Sequence, residues 1–198
     1  MSELAPAAEA PTEQHPIHLV VPDDLRRNRL TVFFRLLLAI PHFFWLSLWG
    51  FVAAFAIVIG WFATLVLGRL PDGLHRFLAA FDRYQLHVNA YFSIAANPFP
   101  GFTGAPGYPV DVAVANASHQ SRLTTLFRLL LAIPAFIVLY VLQLVANIVM
   151  ILAWFYALFT GHMNAGMRDL LAYWLRYQAQ TLGYVALLTG HYPSFSDE

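Results

Sequence analysis

Two long runs without a charged residue constrain most strongly what this chain can fold into. The stretch Leu36–Gly68 contains no Asp, Glu, Lys or Arg, and neither does the stretch Leu129–Met167. A run of about 18 or more apolar residues with few charges is long enough to span a membrane as a helix. Both runs exceed that length, so both are predicted membrane spans.

The composition favours a membrane protein over a soluble one. Hydrophobic residues make up 59% of the 198 residues and charged residues 11%, and the mean hydropathy is +0.59. Soluble domains carry about 25% charged residues. In a soluble protein, two fully buried core helices would each have to be surrounded by other apolar segments, and so short a chain cannot supply them. We therefore expect an all-α membrane protein whose first partner is the lipid bilayer.

The charge pattern excludes other classes of protein. Eleven arginines balance eleven acidic residues, and no basic tract points to nucleic acid. Cysteine is absent, which excludes disulfides and thiolate metal sites. Residues 1–14 are acidic and rich in Ala and Pro, and we predict a disordered tail. The tail lacks the basic start and apolar stretch of a signal peptide, so the first span should act as its own insertion signal.

An internal repeat organises the rest of the chain. The phrase "RLTVFFRLLLAIP" begins at Arg29, and "RLTTLFRLLLAIP" begins at Arg122, 93 residues later. With that offset the two halves align without a gap, which indicates a duplication. The repeat units are therefore 15–102 and 108–195, joined by the linker 103–107.

Each unit is predicted to contain the same four parts. A short strand comes first, because "PIHLVV" and "PVDVAV" alternate with period two and contain β-branched residues. An arginine-bearing segment, a long apolar helix and a semi-polar helix follow. The long helices are predicted over 42–67 and 135–160, and the semi-polar helices over 74–96 and 167–189.

Length predicts a break in front of the long helix. Residues 30–67 would form one helix of about 57 Å at about 1.5 Å per residue, whereas the hydrocarbon core is only about 30 Å thick. Pro41 ends the arginine-bearing phrase, and proline stops or kinks a helix. We expect a separate interfacial helix over 25–40. Arg35 and its counterpart Arg128 would then lie at headgroup depth, where a long side chain keeps its charge in water.

The semi-polar helices allow two interpretations. An arginine at the bilayer centre costs about 3 kcal/mol on insertion scales, so each helix either lies in the interface or spans with its polar face buried in the bundle. Both units carry arginine at the same positions, and basic residues set orientation. The two strands can also pair only if they lie on one side. These points favour parallel units with two crossings each, about four membrane helices, and both termini in the cytoplasm.

The sequence shows no set of catalytic or metal-binding residues. It contains no phosphate loop, nucleophile elbow or HExxH motif. The eight histidines have no ligand spacing, and Asp82 and Asp111 are isolated rather than a carboxylate pair. We therefore predict neither an enzyme nor a bound cofactor.

The most suggestive polar feature is the motif "RYQ", which occurs at Arg83 and again at Arg176. Together with Gln85 and Gln178, these arginines would form two equivalent clusters around a pseudo-twofold axis. A guanidinium matches the geometry of a phosphate, so one hypothesis is an anionic headgroup or small-anion site between the units. The alternative is structural: each arginine binds backbone carbonyls or the interface and fixes the depth of its helix.

The repeated phrase also resembles a known family. The pattern "FRLLLAIP", then "WF" and a glycine, closed by "LLTGHYPSF", is similar to the bacterial membrane proteins called domain of unknown function 4389. The first unit departs at its end, where "NPFPGF" replaces "GHYPSF". The resemblance implies an integral membrane protein with duplicated units and implies no activity. The residues that carry it are Phe34–Pro41, Trp61-Phe62, Gly68 and Tyr192-Pro193-Phe195.

These features predict a multi-pass protein of the bacterial inner membrane without enzymatic activity. It would act as a scaffold, a partner subunit or a lipid-interacting bundle, with a second copy or another membrane protein as partner. The alternative is a small oligomeric transporter or channel with a polar path near the RYQ motifs. Transport paths usually need ionisable groups inside the membrane, and the predicted long helices offer only His42 besides the neutral Gln143 and Asn147. This favours the first hypothesis.

Overall fold

The computed structural model describes residues 15–20 and 25–195, and the predicted disordered tail lies outside these ranges. The first unit contains β1 (Ile17–Val20), α1 (Arg29–Phe33), α2 (Arg35–Leu67) and α3 (Asp72–Phe92). The second unit contains β2 (Asp111–Val114), α4 (Arg122–Leu126), α5 (Arg128–Leu131), α6 (Ile133–Thr160) and α7 (Ala165–Val185). Two tandem, mostly helical copies are thus present, each with the predicted strand, arginine-bearing segment, long helix and semi-polar helix.

The first long helix begins earlier than predicted. The chain bends at Phe34 (φ −88°, ψ 6°), and α2 then runs from Arg35 through Pro41 to Leu67 without a break. The predicted interfacial helix over 25–40 is therefore wrong, since only the five-residue α1 precedes the bend. The bend falls one residue before Arg35, whose side chain turns inward, as described below.

The second unit is interrupted twice at its arginine-bearing segment. One break lies at Phe127, the counterpart of Phe34, and a second lies at Ala132. Pro134 then occupies the first turn of α6. Proline is well tolerated there, because an N–H in the first turn has no helical partner in any case.

Both long helices end at a glycine in the left-handed conformation. Gly68 and Gly161 each have a φ of 75°, which costs other residues about 1–2 kcal/mol. The N–H of Gly68 donates to the carbonyl of Thr64, and the N–H of Gly161 donates to that of Ala157. This tight ending lets α3 fold back along α2 and α7 along α6.

The two units are related by a pseudo-twofold axis. The indole N–H of Trp61 donates to Thr125 O at 2.8 Å, and that of Trp154, 93 residues later, donates to Val32 O at 3.0 Å. Contacts that occur twice with the partners exchanged are typical of a self-complementary twofold interface. The antiparallel pair β1–β2 obeys the same symmetry.

The strand register locates the axis. Leu19 pairs with Val112, which is its own counterpart 93 residues later. A residue can face its own counterpart in this way only where the axis passes. The axis therefore runs through the middle of the ribbon that β1 and β2 form.

The semi-polar helices pack against each other and run antiparallel. Asn89 Nδ2 donates to Gln178 Oε1 at 2.9 Å, while a methyl group on Gly183 would lie 3.6 Å from Asp82 Oδ2. Moving toward the end of α3 thus leads toward the start of α7, and the axis is perpendicular to both helices. The predicted parallel, twice-crossing units are wrong in this respect, because the helices of such units would run in the same direction.

Three sectors of α3 contact three different neighbours. Phe81 and Tyr84 face α2, where the ring of Trp49 stacks on Tyr84 at 5.2 Å. Arg83 and His87 face the ribbon, and the remaining sector, with Asp82 and Asn89, faces α7. With α7 beside α3, the ribbon and α2 must lie on opposite sides of the α3–α7 pair. By the pseudo-twofold, α6 lies on the same side as α2, which gives three layers: ribbon, α3 with α7, and α2 with α6.

Gly104, in the linker, tests how tightly the chain is packed against α3. It has a φ of +62°, and an added Cβ would overlap Ala80 O and lie 3.1 Å from Tyr84 N. We expect Gly104→Ala to lower the free energy of unfolding by about 1–3 kcal/mol. Thermal unfolding followed by near-ultraviolet circular dichroism in mild detergent measures the change. Gly101→Ala is the matched control, since nothing lies within 4 Å of its Cβ position; equal melting temperatures for the two variants would contradict the packing described.

Candidate functional site

Arg35 and Arg128 are buried at the ends of the semi-polar helices. Their side chains are 2% and 1% exposed. Arg35 Nη1 donates to Tyr91 O at 2.8 Å and to Ala96 O at 3.1 Å. The counterpart Arg128 repeats this pattern, with Nη1 donating to the carbonyls 93 residues on, at 2.6 and 3.0 Å. Each guanidinium also lies over a tyrosine ring, 4.5 or 4.6 Å from its centroid.

This arrangement corrects the prediction that both charges stay in water at headgroup depth. The last carbonyls of a helix lack partners within the helix, and a cation near that end also interacts favourably with the helix dipole. Arg35 and Arg128 supply both the hydrogen-bond donors and the positive charge. Their guanidinium groups bind protein carbonyls, so the structure does not place them as headgroup contacts.

The carbonyl of the second residue after each semi-polar helix also needs a hydrogen-bond donor. Ile94 and Leu187 have positive φ values of 64° and 65°. Arg27 Nε donates to Ile94 O at 3.0 Å, and Gln120 Nε2 donates to Leu187 O at 2.7 Å. Gln120 also accepts from Arg128 Nη2 at 2.6 Å. Arg27 and Gln120 are counterparts with different side chains, and sequence reasoning did not single them out.

The RYQ motifs do not form the predicted pair of equivalent clusters. Arg83 Nε donates to Val112 O at 3.2 Å, and its Nη1 donates to Gly104 O at 3.4 Å. Arg176 instead donates to Phe195 O at 3.0 Å and lies 5.0 Å from the ring of Tyr173. The two arginines therefore bind different segments of the chain.

The glutamines of the motifs are also inequivalent. Gln178 accepts from Asn89 and so joins α7 to α3. Gln85 is half-buried on α3. Since Arg83 and Arg176 both donate to backbone carbonyls, the structural alternative for RYQ describes their contacts better than an anion site does.

An ionic cluster that the sequence did not reveal lies beside the ribbon. Asp111 Oδ1 lies 2.9 Å from His87 Nε2 and 3.3 Å from Arg83 Nε. Asp111 Oδ2 accepts from the N–H of Gly107 at 2.7 Å. The cluster borders an open groove of about 480 Å³, which Tyr108 also lines. Asp111 is separated from His87 by 24 residues, so no local spacing could have indicated the pair.

The environment of Asp111 stabilises its charged form. Partial burial alone would raise the pKa of the carboxyl group, but the hydrogen bonds from Gly107 N–H, from His87 and from Val112 N–H lower it below 3.8 overall. The carboxylate therefore links the linker, the ribbon and α3 through hydrogen bonds. Within the described ranges, no group of three or more His, Asp or Glu side chains is placed to hold a metal ion.

The largest surface feature is apolar and confined to particular helices. Nearly every large hydrophobic residue with high exposure belongs to α1, α2 or α4–α6, whereas α3 and α7 contribute only Leu170 among their described residues. α2 and the segment Arg128–Thr160 are each 33 residues long and apolar enough to cross a membrane. Examples of the exposed residues are Phe44, Phe51, Phe55, Phe62, Ile137, Leu144, Ile148, Ile151 and Phe155.

Removing a buried arginine should destabilise the fold strongly. Arg35→Met and Arg128→Met each remove a charged donor from two buried carbonyls, of which Tyr91 O and Tyr184 O keep a backbone N–H donor, and we expect a loss of about 2–5 kcal/mol in unfolding free energy. The exposed Arg76→Met is the matched control and should cost less than about 0.5 kcal/mol. Chemical denaturation in detergent measures all three. A similar midpoint for all three variants would show that the carbonyls find other partners.

Asp111 should make stability depend on pH in the acid range. Because its pKa is lower in the folded protein, its contribution is present above the unfolded value near 3.8 and disappears as the pH falls through the folded pKa. The wild type should therefore be more stable than Asp111→Asn at pH 7, and the difference should vanish in strong acid. Melting temperatures of both proteins between pH 7 and pH 2 test this. A difference that stays constant over that range would contradict the ionic role.

The comparisons with known proteins bear on the family alone. The model of the family called domain of unknown function (DUF4389) matches residues 29–103 and again residues 122–197. No curated protein and no solved structure matches the chain. Since the two matches cover most of the sequence, the chain belongs to the DUF4389 family and contains two tandem copies of its domain.

Proposed function

We propose that this protein is a non-enzymatic membrane protein of the bacterial inner membrane, acting as a lipid-interacting scaffold or partner subunit. The observation that carries the proposal is the apolar outer surface of α2 and α6. Soluble monomers rarely expose contiguous apolar patches above a few hundred Å². Here residues such as Phe44 and Phe62 are 74% and 60% exposed along one helix, so lipid is the partner that fits this surface.

The polar interior supports a structural rather than a catalytic role. The buried guanidinium groups of Arg35 and Arg128 are bound to backbone carbonyls, and Asp111 holds chain segments together. The alternative, a small transporter or channel, would need a polar path near Arg83 and Arg176, and the carbonyl contacts of both arginines favour the scaffold instead.

The sequence predicts about four membrane helices in a multi-pass arrangement. α2 and α6 have the length and composition for contact with lipid. α3 and α7 are shielded, because most of their side chains beyond the first two turns are buried or half-buried. We propose that all four belong to the membrane-associated body, with α2 and α6 in direct contact with lipid.

Membrane fractionation tests the proposal. Expressed in a bacterial host, the protein should sediment with the inner membrane, stay in the pellet after washing with alkaline carbonate, and dissolve only in detergent. The apolar faces of α2 and α6 are the physical reason. Recovery in the carbonate supernatant, or in the soluble fraction, would contradict membrane embedding.

The same preparation separates a scaffold from a channel. Liposomes that contain the protein should release trapped ions no faster than liposomes without protein do. Saturable release that is abolished in the double variant Arg83→Gln, Arg176→Gln would favour the channel instead. Arg76→Gln, on the exposed first turns of α3, is the control variant.

A further inference from the structure

The ribbon crosses the middle of the semi-polar helices rather than one end. Within α3 (Asp72–Phe92), the contacts with β2 come from Arg83 and His87. The same part of α3 lies beside the middle of α2, since Tyr84 stacks on Trp49. The ribbon is therefore level with the middle of α2.

This position conflicts with helices that cross a bilayer. If α2 and α3 crossed, the ribbon and the segments around it would lie near the centre of the hydrocarbon. His18 on β1 and Ala115 and Asn116 after β2 are exposed. Irregular polar backbone and exposed strand edges are not tolerated in contact with lipid tails. The ribbon must therefore face water.

The apolar surface lies on the opposite side of the molecule. The side of α2 that faces α3 carries small or polar buried residues, among them Ala53, Ala56, Gly60 and Thr64. The other side carries large exposed residues at helical spacing, such as Phe51, Phe55, Val58 and Phe62. α6 repeats this arrangement with Ala146, Ala153 and Ala157 buried. Since α2 and α6 lie on the same side of the α3–α7 pair, their apolar faces point away from the ribbon together.

The length of α2 fits the same arrangement. Its 33 residues extend about 50 Å at about 1.5 Å per residue, far more than the hydrocarbon core of about 30 Å. A helix lying along the membrane has no such limit. The apolar faces extend along nearly the whole helix, from Leu36 to Leu67.

Two counterpart arginines lie at the edge of the apolar face. Arg29 and Arg122 are exposed at the starts of α1 and α4. Each is followed directly by an exposed leucine that is 67% accessible. Arg122 Nη2 donates to Val66 O at 3.0 Å, and the remaining guanidinium donors of these two exposed arginines are placed for anionic headgroups at the edge of the apolar face.

We propose that the protein is embedded in a single leaflet, with α2 and α6 parallel to the membrane plane and the pseudo-twofold axis along the bilayer normal. The ribbon then faces the aqueous side, and the two copies have the same orientation toward the lipid. This inference rests on the proposed membrane association and specifies its partner as one leaflet. It replaces crossing helices with an in-plane arrangement.

Single cysteines in this cysteine-free chain test the proposal. The positions are Gly73 and Gly166, which are counterparts at the starts of α3 and α7, together with Thr103 and Asn116; all four are exposed. Each variant is labelled with a membrane-impermeant maleimide in intact spheroplasts and in inverted membrane vesicles. We expect all four cysteines to react from one and the same side. Phe55→Cys, on the apolar face, should react only after detergent is added.

Each other pattern would overturn the single-leaflet proposal. Labelling of Gly73→Cys and Gly166→Cys from opposite sides would indicate inverted units that cross the membrane. Labelling of both from one side and of Thr103→Cys from the other would indicate parallel crossing units. These failures leave membrane association intact, whereas recovery of the protein outside the membrane fraction would remove the proposed function itself.

A depth measurement gives an independent test. Nitroxide labels at Phe44, Phe51, Val58 and Val66 lie along the exposed side of α2. In an in-plane helix, collision with oxygen and with a water-soluble nickel complex should report the same depth at all four positions. In a crossing helix the depth would increase toward the bilayer centre and decrease again toward the far surface, by about 1.5 Å per residue, and such a profile would overturn the proposal.

Discussion

The carbonyl groups at the ends of α3 and α7 set the geometry on which the remaining structure depends. The residues that carry these carbonyls are buried, and an unpaired buried carbonyl costs about 1–3 kcal/mol. Arg35 and Arg128 donate to them, and these arginines are the first residues of α2 and α5. The hairpin of α2 and α3 is therefore closed twice, by the Gly68 turn at one end and by Arg35 at the other. The bend at Phe34 lies directly before that side chain.

Hydrogen bonds between the two units come from tryptophan side chains and backbone N–H groups rather than from Arg35 and Arg128. The indole groups of Trp61 and Trp154 donate to backbone carbonyls of the arginine-bearing segment of the opposite unit. Backbone bonds add to this, since Arg27 N donates to Gly161 O and Gln120 N to Gly68 O. Each unit thus completes the end of the other unit's long helix. A single copy would leave these donors and acceptors unpaired, which explains why two copies in one chain form one body.

Part of this architecture could be predicted from the sequence. The offset of 93 residues, the strands and the order of the helices follow from periodicity and from the repeat. The burial of Arg35 could not, because an arginine in an apolar run looks the same whether its charge lies in water or on carbonyls. The contact of His87 with Asp111 depends on the ribbon crossing the middle of α3, and the antiparallel direction of α3 and α7 depends on the axis. Both are properties of the tertiary packing, which no spacing within one repeat encodes.

The two copies differ on both sides of the molecule, but the exchanges on the ribbon side involve ionisable groups. On the apolar side, counterparts such as Phe62 and Phe155 or Val58 and Ile151 keep the same character, while Ala54 corresponds to the exposed Asn147. On the ribbon side, Asp111 corresponds to His18, and His87 corresponds to Gln180. The proposed lipid contact requires apolar side chains at most of these positions in both copies. The ribbon side carries different polar groups in the two copies, so a partner that binds there can distinguish one copy from the other.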